Sequence, residues 1–111
     1  AGDLVRFGDA LRAGKLLSQQ WLDSLWTARV AMPQMPTPAS YGYGFMVRQT
    51  PLGRQAGHTG GSPGVSSSYD LYIDKGYGVA VLTNQDPVGL RLALRKITAG
   101  LRGLELATEG R

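Results

Sequence analysis

The chain contains no cysteine and comparatively little charge. Without cysteine it has no disulfide scaffold, no thiolate metal site and no cysteine nucleophile. Charged residues make up 18% of the sequence, below the roughly 25% of an average domain, whereas apolar residues make up 42%. This composition is that of one small folded domain and not of a disordered segment. Because many secreted proteins also lack disulfides, the missing cysteines leave the cellular compartment undecided.

Long apolar runs are missing as well. No run approaches the ~18 residues that a membrane-spanning helix needs, so we expect no membrane span. The first residues, Ala1 to Leu4, include neither an initiating methionine nor the basic and then apolar layout of a signal peptide, and we expect the chain to be a piece of a longer protein. The net charge of +4 is explained by basic residues on solvated faces and requires no anionic partner. Without a basic and aromatic motif, no nucleic-acid partner is expected.

The spacing of apolar residues predicts helices in the stretch 1–32. Asp3 is expected to cap a helix whose apolar face carries Leu4, Phe7 and Leu11. A second helix is expected to begin after Ser18, with an apolar stripe made of Trp21, Leu22, Leu25 and Trp26. At helical spacing these tryptophans are expected in the core, and a ligand pocket is the alternative.

The stretch 33–84 changes from proline-rich to strand-like. Prolines at 33, 36 and 38 predict a connector over 33–40. From Tyr41 to Arg48, aromatic and apolar residues alternate with others, which predicts a strand. The runs 68–73 and 77–83 flank a short polar loop that ends in Gly76, which predicts a hairpin. The second of these runs is apolar almost throughout, so we expect a central strand covered on both faces.

The final third predicts one long amphipathic helix over 86–104, starting at Asp86-Pro87. Its apolar residues recur at spacings of three and four: Leu90, Leu94, Ile97, Leu101 and Leu104. Its basic face is expected in solvent, with an anionic membrane surface as the alternative: Arg91, Arg95, Lys96 and Arg102. The whole pattern, 1–111, predicts a single α+β unit with N-terminal helices, an antiparallel sheet of three to four strands within 41–84, and a C-terminal helix packed on the sheet.

The segment from Ala56 to Gly64 is the candidate functional site. It places the only histidine, His58, beside the hydroxyl of Thr59 and among small residues at the end of a strand. Glycine lets a ligand approach the backbone, and exposed N–H groups there can bind a carboxylate or a developing oxyanion. Imidazole adds proton transfer or a pH-dependent charge. The alternative is a tight glycine turn that carries an ordinary surface histidine.

Gly57 to Gly64, preceded by the segment 41–45 and followed by 77–84, resembles the C-terminal part of the serine β-lactamase and penicillin-binding-protein-like family. The branch with class C β-lactamases, D-alanyl-D-alanine carboxypeptidases and related esterases is the most similar. The stretch 3–18 also resembles the helical part that precedes this region, so the resemblance runs from about Gly2 to Leu101. It implies a fragment of the β-lactamase/transpeptidase-like fold, and a parent serine hydrolase that cleaves an ester, amide or β-lactam through an acyl-enzyme. It also implies no cofactor or metal, and a bacterial protein that is periplasmic, secreted or cytoplasmic.

The resemblance assigns roles to four residues. The family's third motif, Lys-Thr-Gly, has its counterpart in His58-Thr59-Gly60. His58 would supply positive charge or join the proton relay, while Thr59 and Gly60 would bind the substrate at its carboxylate or carbonyl. The backbone N–H of Gly61 would form half of the oxyanion hole. Histidine in place of lysine weakens a carboxylate clamp, because imidazole is largely uncharged near neutral pH.

The family's nucleophile motif is missing from this chain. None of the seven serines is followed by lysine three residues later, and no tyrosine or serine is followed by asparagine two residues later. A triad of Ser62, His58 and Asp70 or Asp74 has no support in their spacing. We therefore expect one wall of a catalytic site, inactive alone.

The partners expected from these patterns are a small-molecule or peptide-like substrate and the missing N-terminal part of the parent chain. Without that part, an exposed sheet edge and an apolar patch are expected to cause self-association. The alternative function is a non-catalytic binding module that retained the fold. Such a module would bind a peptide, a cell-wall piece or a partner chain through the glycine-rich strand end or the basic helix face.

Overall fold

The computed structural model describes residues 1–110, apart from the side chain of Leu106. It is an α+β structure in which three helices flank one six-stranded antiparallel sheet, which confirms the predicted fold class. The elements in chain order are α1 (Gly2–Arg12), α2 (Gln19–Leu25), β1 (Val30–Ala31), β2 (Ser40–Tyr41), β3 (Met46–Thr50), β4 (Gly53–Ser62), β5 (Val65–Tyr72), β6 (Tyr77–Thr83) and α3 (Pro87–Glu109). Arg111, the last residue of the predicted unit 1–111, lies outside the described residues.

The sheet is a meander in which each strand pairs with the next strand along the chain, in the order β1 to β6. The four long strands, β3 to β6, match the predicted sheet of three to four strands. The two-residue strands β1 and β2 extend it on one side. They are too short for alternation to indicate them, and β1 lies within the stretch 1–32 for which the sequence predicts helices.

The predicted strand over 41–48 is in fact a tight hairpin. Tyr41 pairs with Met46, and the N–H of Gly42 donates to the carbonyl oxygen of Phe45 at 2.8 Å. Gly44 has a φ of 76°, a conformation that favours glycine and closes the turn. The aromatic residues of this stretch therefore do not share one face, and Tyr43 is 59% exposed.

The hairpin between β5 and β6 confirms the loop predicted at 74–76. Gly76 has a φ of 75°, as the hairpin chemistry of this loop requires. The resulting strand β6 is not central, which corrects the expectation from its apolar run. Within residues 1–110 it pairs with β5 alone and lies at the edge of the sheet.

Helices cover both faces of β6. Helix α1 packs against β6 on one face of the sheet, where Gly8 also lies against the side chains of Tyr69 and Leu71 of the neighbouring β5. On the other face, Glu105 of α3 accepts a hydrogen bond from the hydroxyl of Tyr77. The long apolar run of β6 therefore reflects cover by helices on both faces and not a central position.

The main core lies between the sheet and the two N-terminal helices. Its fully buried members come from α1, α2, β4 and β5, together with the residue that ends α2: Leu11, Leu22, Trp26, Ala56 and Leu71. Trp26 meets Phe45 edge to face, with ring centroids 6.4 Å apart. Trp21 is 64% exposed, so only one of the two predicted core tryptophans is buried. The seven-residue helix α2 presents a single narrow face to the core.

Helix α3 packs on β5 and β6 and continues to Glu109, five residues beyond its predicted end. Leu90 is buried and Leu94 and Leu101 are half-buried, whereas Ile97 and Leu104 are exposed. The predicted apolar stripe is therefore only partly covered by the sheet. The basic face is exposed, as expected from its charge: Arg91, Arg95, Lys96 and Arg102.

None of the helices within residues 1–110 has both the length and the apolar composition needed to cross a membrane.

Candidate functional site

The four predicted site residues, 58–61, lie where β4 extends past its neighbour β3. The last pair between β3 and β4 joins Met46 to Gly57, whereas β4 stays paired with β5 as far as Ser62. From His58 onward, one side of β4 is therefore an edge along which no strand of residues 1–110 runs. The sequence predicts this strand end, and the structure adds that one side of it is open.

The backbone groups of Thr59 and Gly61 point toward this open edge. In an antiparallel pair, residues that bond to the partner strand alternate with residues whose N–H and C=O point away. The carbonyl of Arg54 accepts a hydrogen bond from the N–H of Ile73 at 2.9 Å, so even-numbered residues of β4 bond to β5. The odd-numbered Thr59 and Gly61 consequently direct their backbone groups away from β5. The N–H of Gly61 is thus presented at the surface as a donor.

His58 is exposed, and both of its ring nitrogens have partners. Nδ1 lies 2.7 Å from the carbonyl oxygen of Thr59, and Nε2 lies 3.0 Å from the hydroxyl of Tyr41. The two rings meet edge to face with centroids 5.7 Å apart. A carbonyl oxygen only accepts hydrogen bonds, so Nδ1 carries the hydrogen. In the neutral ring Nε2 is then an acceptor, and the Tyr41 hydroxyl donates to it.

Tyr41 is a site residue that the sequence does not reveal. It stands 17 positions before His58, and its aromatic character fits the alternating pattern of a strand. The two residues meet only because the turn at 42–45 folds β2 back along β3. No spacing rule connects two partners that a hairpin of this kind brings together.

A buried carboxylate lies under the site strand, on the face of the sheet opposite His58. Thr59 pairs with Ser68 in the register, and the Ser68 hydroxyl donates to Oδ2 of Asp70 at 2.7 Å. Asp70 is only 4% exposed. Burial raises the pKa of this carboxyl, while hydrogen bonds from Ser68 and Gln55 and the charge of Arg48 act in the opposite direction.

Gly57 allows β4 and β5 to approach closely beside this carboxylate. A Cβ at this position would collide with the carbonyl oxygen of Tyr69 and would lie 2.5 Å from Oδ1 of Asp70. Only glycine fits without a shift of backbone. Gly57 therefore sets the position of the strand immediately before His58.

The side chains considered for a serine triad have other partners. Asp70 accepts from Ser68, and Asp74 accepts from the backbone N–H of Arg54 at 2.6 Å. The hydrogen bonds of the His58 ring within residues 1–110 are those with Tyr41 and Thr59. The structure thus brings together the four adjacent site residues and Tyr41, but it does not assemble a triad.

Two depressions mark the surface near β4. One of about 400 Å³ borders the site at Gly60, Gly61 and Ser62. A larger groove of about 880 Å³ lies toward the start of β4, under the proline-rich connector. Its lining includes Met32, Pro36 and Val47 but none of the residues 58–61, so the larger concavity is not the candidate site.

A family model described as Beta-lactamase matches residues 1–101. The chain belongs to the beta-lactamase family. The match includes every strand of the sheet and the candidate site, and it ends within α3. The predicted resemblance is therefore confirmed at the level of the family. Comparison with curated proteins and with solved structures gave no match.

The candidate site of this beta-lactamase-family chain offers polar groups of the protein itself to a ligand. Residues 1–110 contain no group of three or more histidine, aspartate or glutamate side chains close enough to hold a metal ion. The groups that the site offers to a ligand are the backbone N–H of Gly61 at the open edge, the His58 imidazole with the Tyr41 hydroxyl on one face of the sheet, and the Thr59 hydroxyl on the other face. These groups can bind a carbonyl oxygen, support a developing negative charge and move a proton.

Proposed function

We propose that the chain is the C-terminal portion of a serine hydrolase and forms one wall of its active site. In this proposal Gly61 supplies half of the oxyanion hole, Thr59 and Gly60 bind the substrate, and His58 adjoins the reacting groups. The observation that carries the proposal is the direction of the Gly61 N–H toward an edge that no strand of residues 1–110 covers.

The chemistry of acyl transfer explains why such a donor matters. When a serine attacks an ester, amide or β-lactam carbonyl, the carbonyl oxygen becomes negatively charged. Backbone N–H groups held in place stabilise that charge without reorganising. A glycine donor leaves the approach to its N–H unobstructed by a side chain. The substrate class of this proposal is correspondingly a small-molecule or peptide-like acyl compound.

The nucleophile in this proposal comes from sequence outside the 111 residues. None of the serines stands in a Ser-x-x-Lys motif. Three of those nearest the site strand already donate hydrogen bonds: Ser66 to the carbonyl of Gln85, Ser67 to that of Gly60, and Ser68 to Asp70. The chain alone is therefore expected to be inactive. The parent protein is proposed to belong to the branch with class C β-lactamases, D-alanyl-D-alanine carboxypeptidases and related esterases, which the segment 57–64 resembles.

The test compares Gly61→Pro with Gly61→Ala in a longer product of the same gene that contains a Ser-x-x-Lys motif. Both variants add a Cβ, whose nearest neighbour would be 3.8 Å away, but only proline removes the N–H. Because this N–H does not bond to β5, the strand pairing survives in both. Loss of one oxyanion donor predicts a fall in kcat of roughly 10²- to 10³-fold for Gly61→Pro. Equal activities of the two variants would refute the assignment of Gly61.

A non-catalytic binding module is the second candidate function. The open edge of β4 offers backbone donors and acceptors to which an extended peptide can add as a strand. The gene sequence upstream of Ala1 separates the two candidates. If it encodes neither Ser-x-x-Lys nor Tyr-x-Asn, the hydrolase proposal fails and the binding module stands.

A further inference from the structure

We propose that the outward face of α3 binds an anionic lipid membrane and lies flat on its surface. This face is not used by the proposed hydrolase site, so neither proposal depends on the other. Two features of the face carry the proposal: the net charge of the chain is located there, and exposed apolar side chains stand among the cations.

The whole net charge of the chain lies on α3. The chain has 12 basic and 8 acidic residues. Four of the basic residues and none of the acidic ones lie within 87–104, so the other eight basic residues are balanced by the eight acidic ones. These four cations are exposed, and none of them pairs with a carboxylate within residues 1–110: Arg91, Arg95, Lys96 and Arg102. Their charge is therefore available to an anionic partner.

The packing of α3 directs these cations away from the sheet. Leu90 is buried, and Leu94 and Leu101 are half-buried, where the helix packs on β5 and β6. Arg91 and Arg95 are four residues apart and therefore share one face of the helix, which is exposed. An extended flat surface can contact this face along several turns of α3. Because its other side is packed on the sheet, α3 would lie on a membrane and not cross it.

Apolar side chains stand among the cations on this surface. Val88 is 60% exposed, and Leu92, four residues later, is 55% exposed. Lys96 follows after another four residues, so these three residues form one row along the helix. An anionic membrane offers negative headgroups and an apolar layer just beneath them. Basic side chains can keep their charged ends at the headgroups while their stems, together with Val88 and Leu92, contact the apolar layer.

Other partners match the outward face of α3 less well. Cations in solvent need no partner, but exposed Val88 and Leu92 among them indicate a surface that also has an apolar layer. A second copy of the chain that docked through the same face would bring four cations against four cations, which repel each other. An acidic protein or a nucleic acid complements the charge but leaves the two apolar side chains without a matching surface.

Flotation with lipid vesicles tests the proposal on the 111-residue chain. Oligomers of the chain sink whereas vesicle-bound protein rises, so self-association does not imitate binding. We expect the chain to float with vesicles of phosphatidylcholine and phosphatidylglycerol but not with phosphatidylcholine alone. Raising the salt from about 0.1 M to about 1 M shortens the Debye length from about 10 Å to about 3 Å, so it should weaken binding. Equal flotation with both kinds of vesicle, or no flotation with either, would overturn the proposal.

The double variant Arg91→Gln and Arg95→Gln removes two cations from the proposed contact. At the usual contribution of a basic residue near an anionic membrane, the partition coefficient should fall about 30-fold. The double variant Arg6→Gln and Lys15→Gln is the matched control, because it removes two exposed cations in or just after α1, on the other face of the sheet. Its partition coefficient should change much less. Equal falls in both variants would mean that net charge alone drives binding, and they would refute the assignment to α3.

Leu92→Ser tests the apolar contribution at unchanged charge. Because Leu92 is exposed, the variant should keep the fold, which circular dichroism checks. Loss of the leucine side chain from the lipid contact should lower the partition coefficient about tenfold. Unchanged binding would mean that α3 attracts anionic surfaces of any kind, and the lipid assignment would fall. None of these measurements needs turnover, so failure of the hydrolase proposal leaves them unaffected.

Discussion

At the scale of single residues, two aspartates on the β5–β6 hairpin are held in opposite environments. Asp70 is buried under the site strand, and desolvation raises its pKa. Asp74 lies in the hairpin loop, where a hydrogen bond from the backbone N–H of Arg54 lowers its pKa. Folding therefore favours the protonated form of Asp70 and the ionised form of Asp74, so the two carboxyls affect stability with opposite dependence on pH.

Asp70→Asn and Asp74→Asn should accordingly shift stability in opposite directions as the pH rises. The raised pKa of Asp70 means that its contribution is fully present below the unfolded pKa and is lost as the pH rises through the folded value. Asp70→Asn should therefore gain stability relative to wild type between about pH 3 and pH 7. The lowered pKa of Asp74 gives a contribution that is present above the unfolded pKa and lost in acid, so Asp74→Asn should lose relative stability over that range. Urea unfolding at several pH values measures both effects. If the stability of the two variants relative to wild type changed in the same direction as the pH rises, the opposite environments of the two carboxyls would be contradicted.

Some residues of the site can be identified from the sequence and others cannot. His58, Thr59, Gly60 and Gly61 are visible as a motif because they are consecutive. Tyr41 is not, because its contact with His58 depends on a hairpin. Burial of the individual tryptophans could not be predicted either, since Trp21 and Trp26 both fit the predicted stripe, whereas the folded chain buries only Trp26, together with Leu22.

At the scale of secondary structure, the site depends on how β4 is held against β5. Gly57 lets the two strands meet beside Asp70, and the strand then continues to Ser62 without β3. The position of the free donors at 59 and 61 follows from this pairing. A change that pushes β4 away from β5 should therefore lower the stability of the fold in addition to any effect on the site.

Gly57→Ala should destabilise the fold by roughly 1–3 kcal/mol, because the added Cβ overlaps backbone of β5. Gly61→Ala, on the same strand, has room for its Cβ and serves as the control. Thermal or urea unfolding measures the difference between the two variants. Equal stability of Gly57→Ala and Gly61→Ala would show that the close approach at Gly57 is not required.

Local signals explain which elements the sequence predicts. The long helix α3 follows from the spacing of its apolar residues, and the hairpin at Gly76 follows from the chemistry of its turn. Each signal lies within a few neighbouring residues. The edge position of β6 depends on the strand order of the whole sheet, which local patterns do not encode. The hairpin at 42–45 is a local turn, but the regular alternation of aromatic residues and glycines around it predicts a continuous strand instead.

At the scale of the whole molecule, β6 leaves one side of the sheet unpaired in residues 1–110. Leu82 on this strand is 55% exposed, and Val88 and Leu92 at the start of α3 are 60% and 55% exposed. An unpaired edge beside exposed apolar side chains favours strand addition from another chain. We expect the isolated chain to self-associate through this edge.

Leu82→Lys should suppress that association, because a charged side chain on an edge strand discourages pairing. Leu82 is exposed, so the substitution should leave the monomer folded. Sedimentation velocity over a range of concentrations should show growing oligomers for the wild-type chain and mainly monomer for the variant. A compact wild-type monomer at all concentrations would contradict the expectation.

The proposal that the chain forms only one wall of a serine hydrolase site is tested by pre-steady-state hydrolysis of p-nitrophenyl acetate. The chain alone should release p-nitrophenol in a single slow phase, no faster than an equal concentration of free histidine, because the strand end holds an oxyanion donor and an imidazole but no activated serine. A burst that approaches one p-nitrophenol per chain would mean that an acyl-enzyme forms within these residues, and it would contradict the proposal.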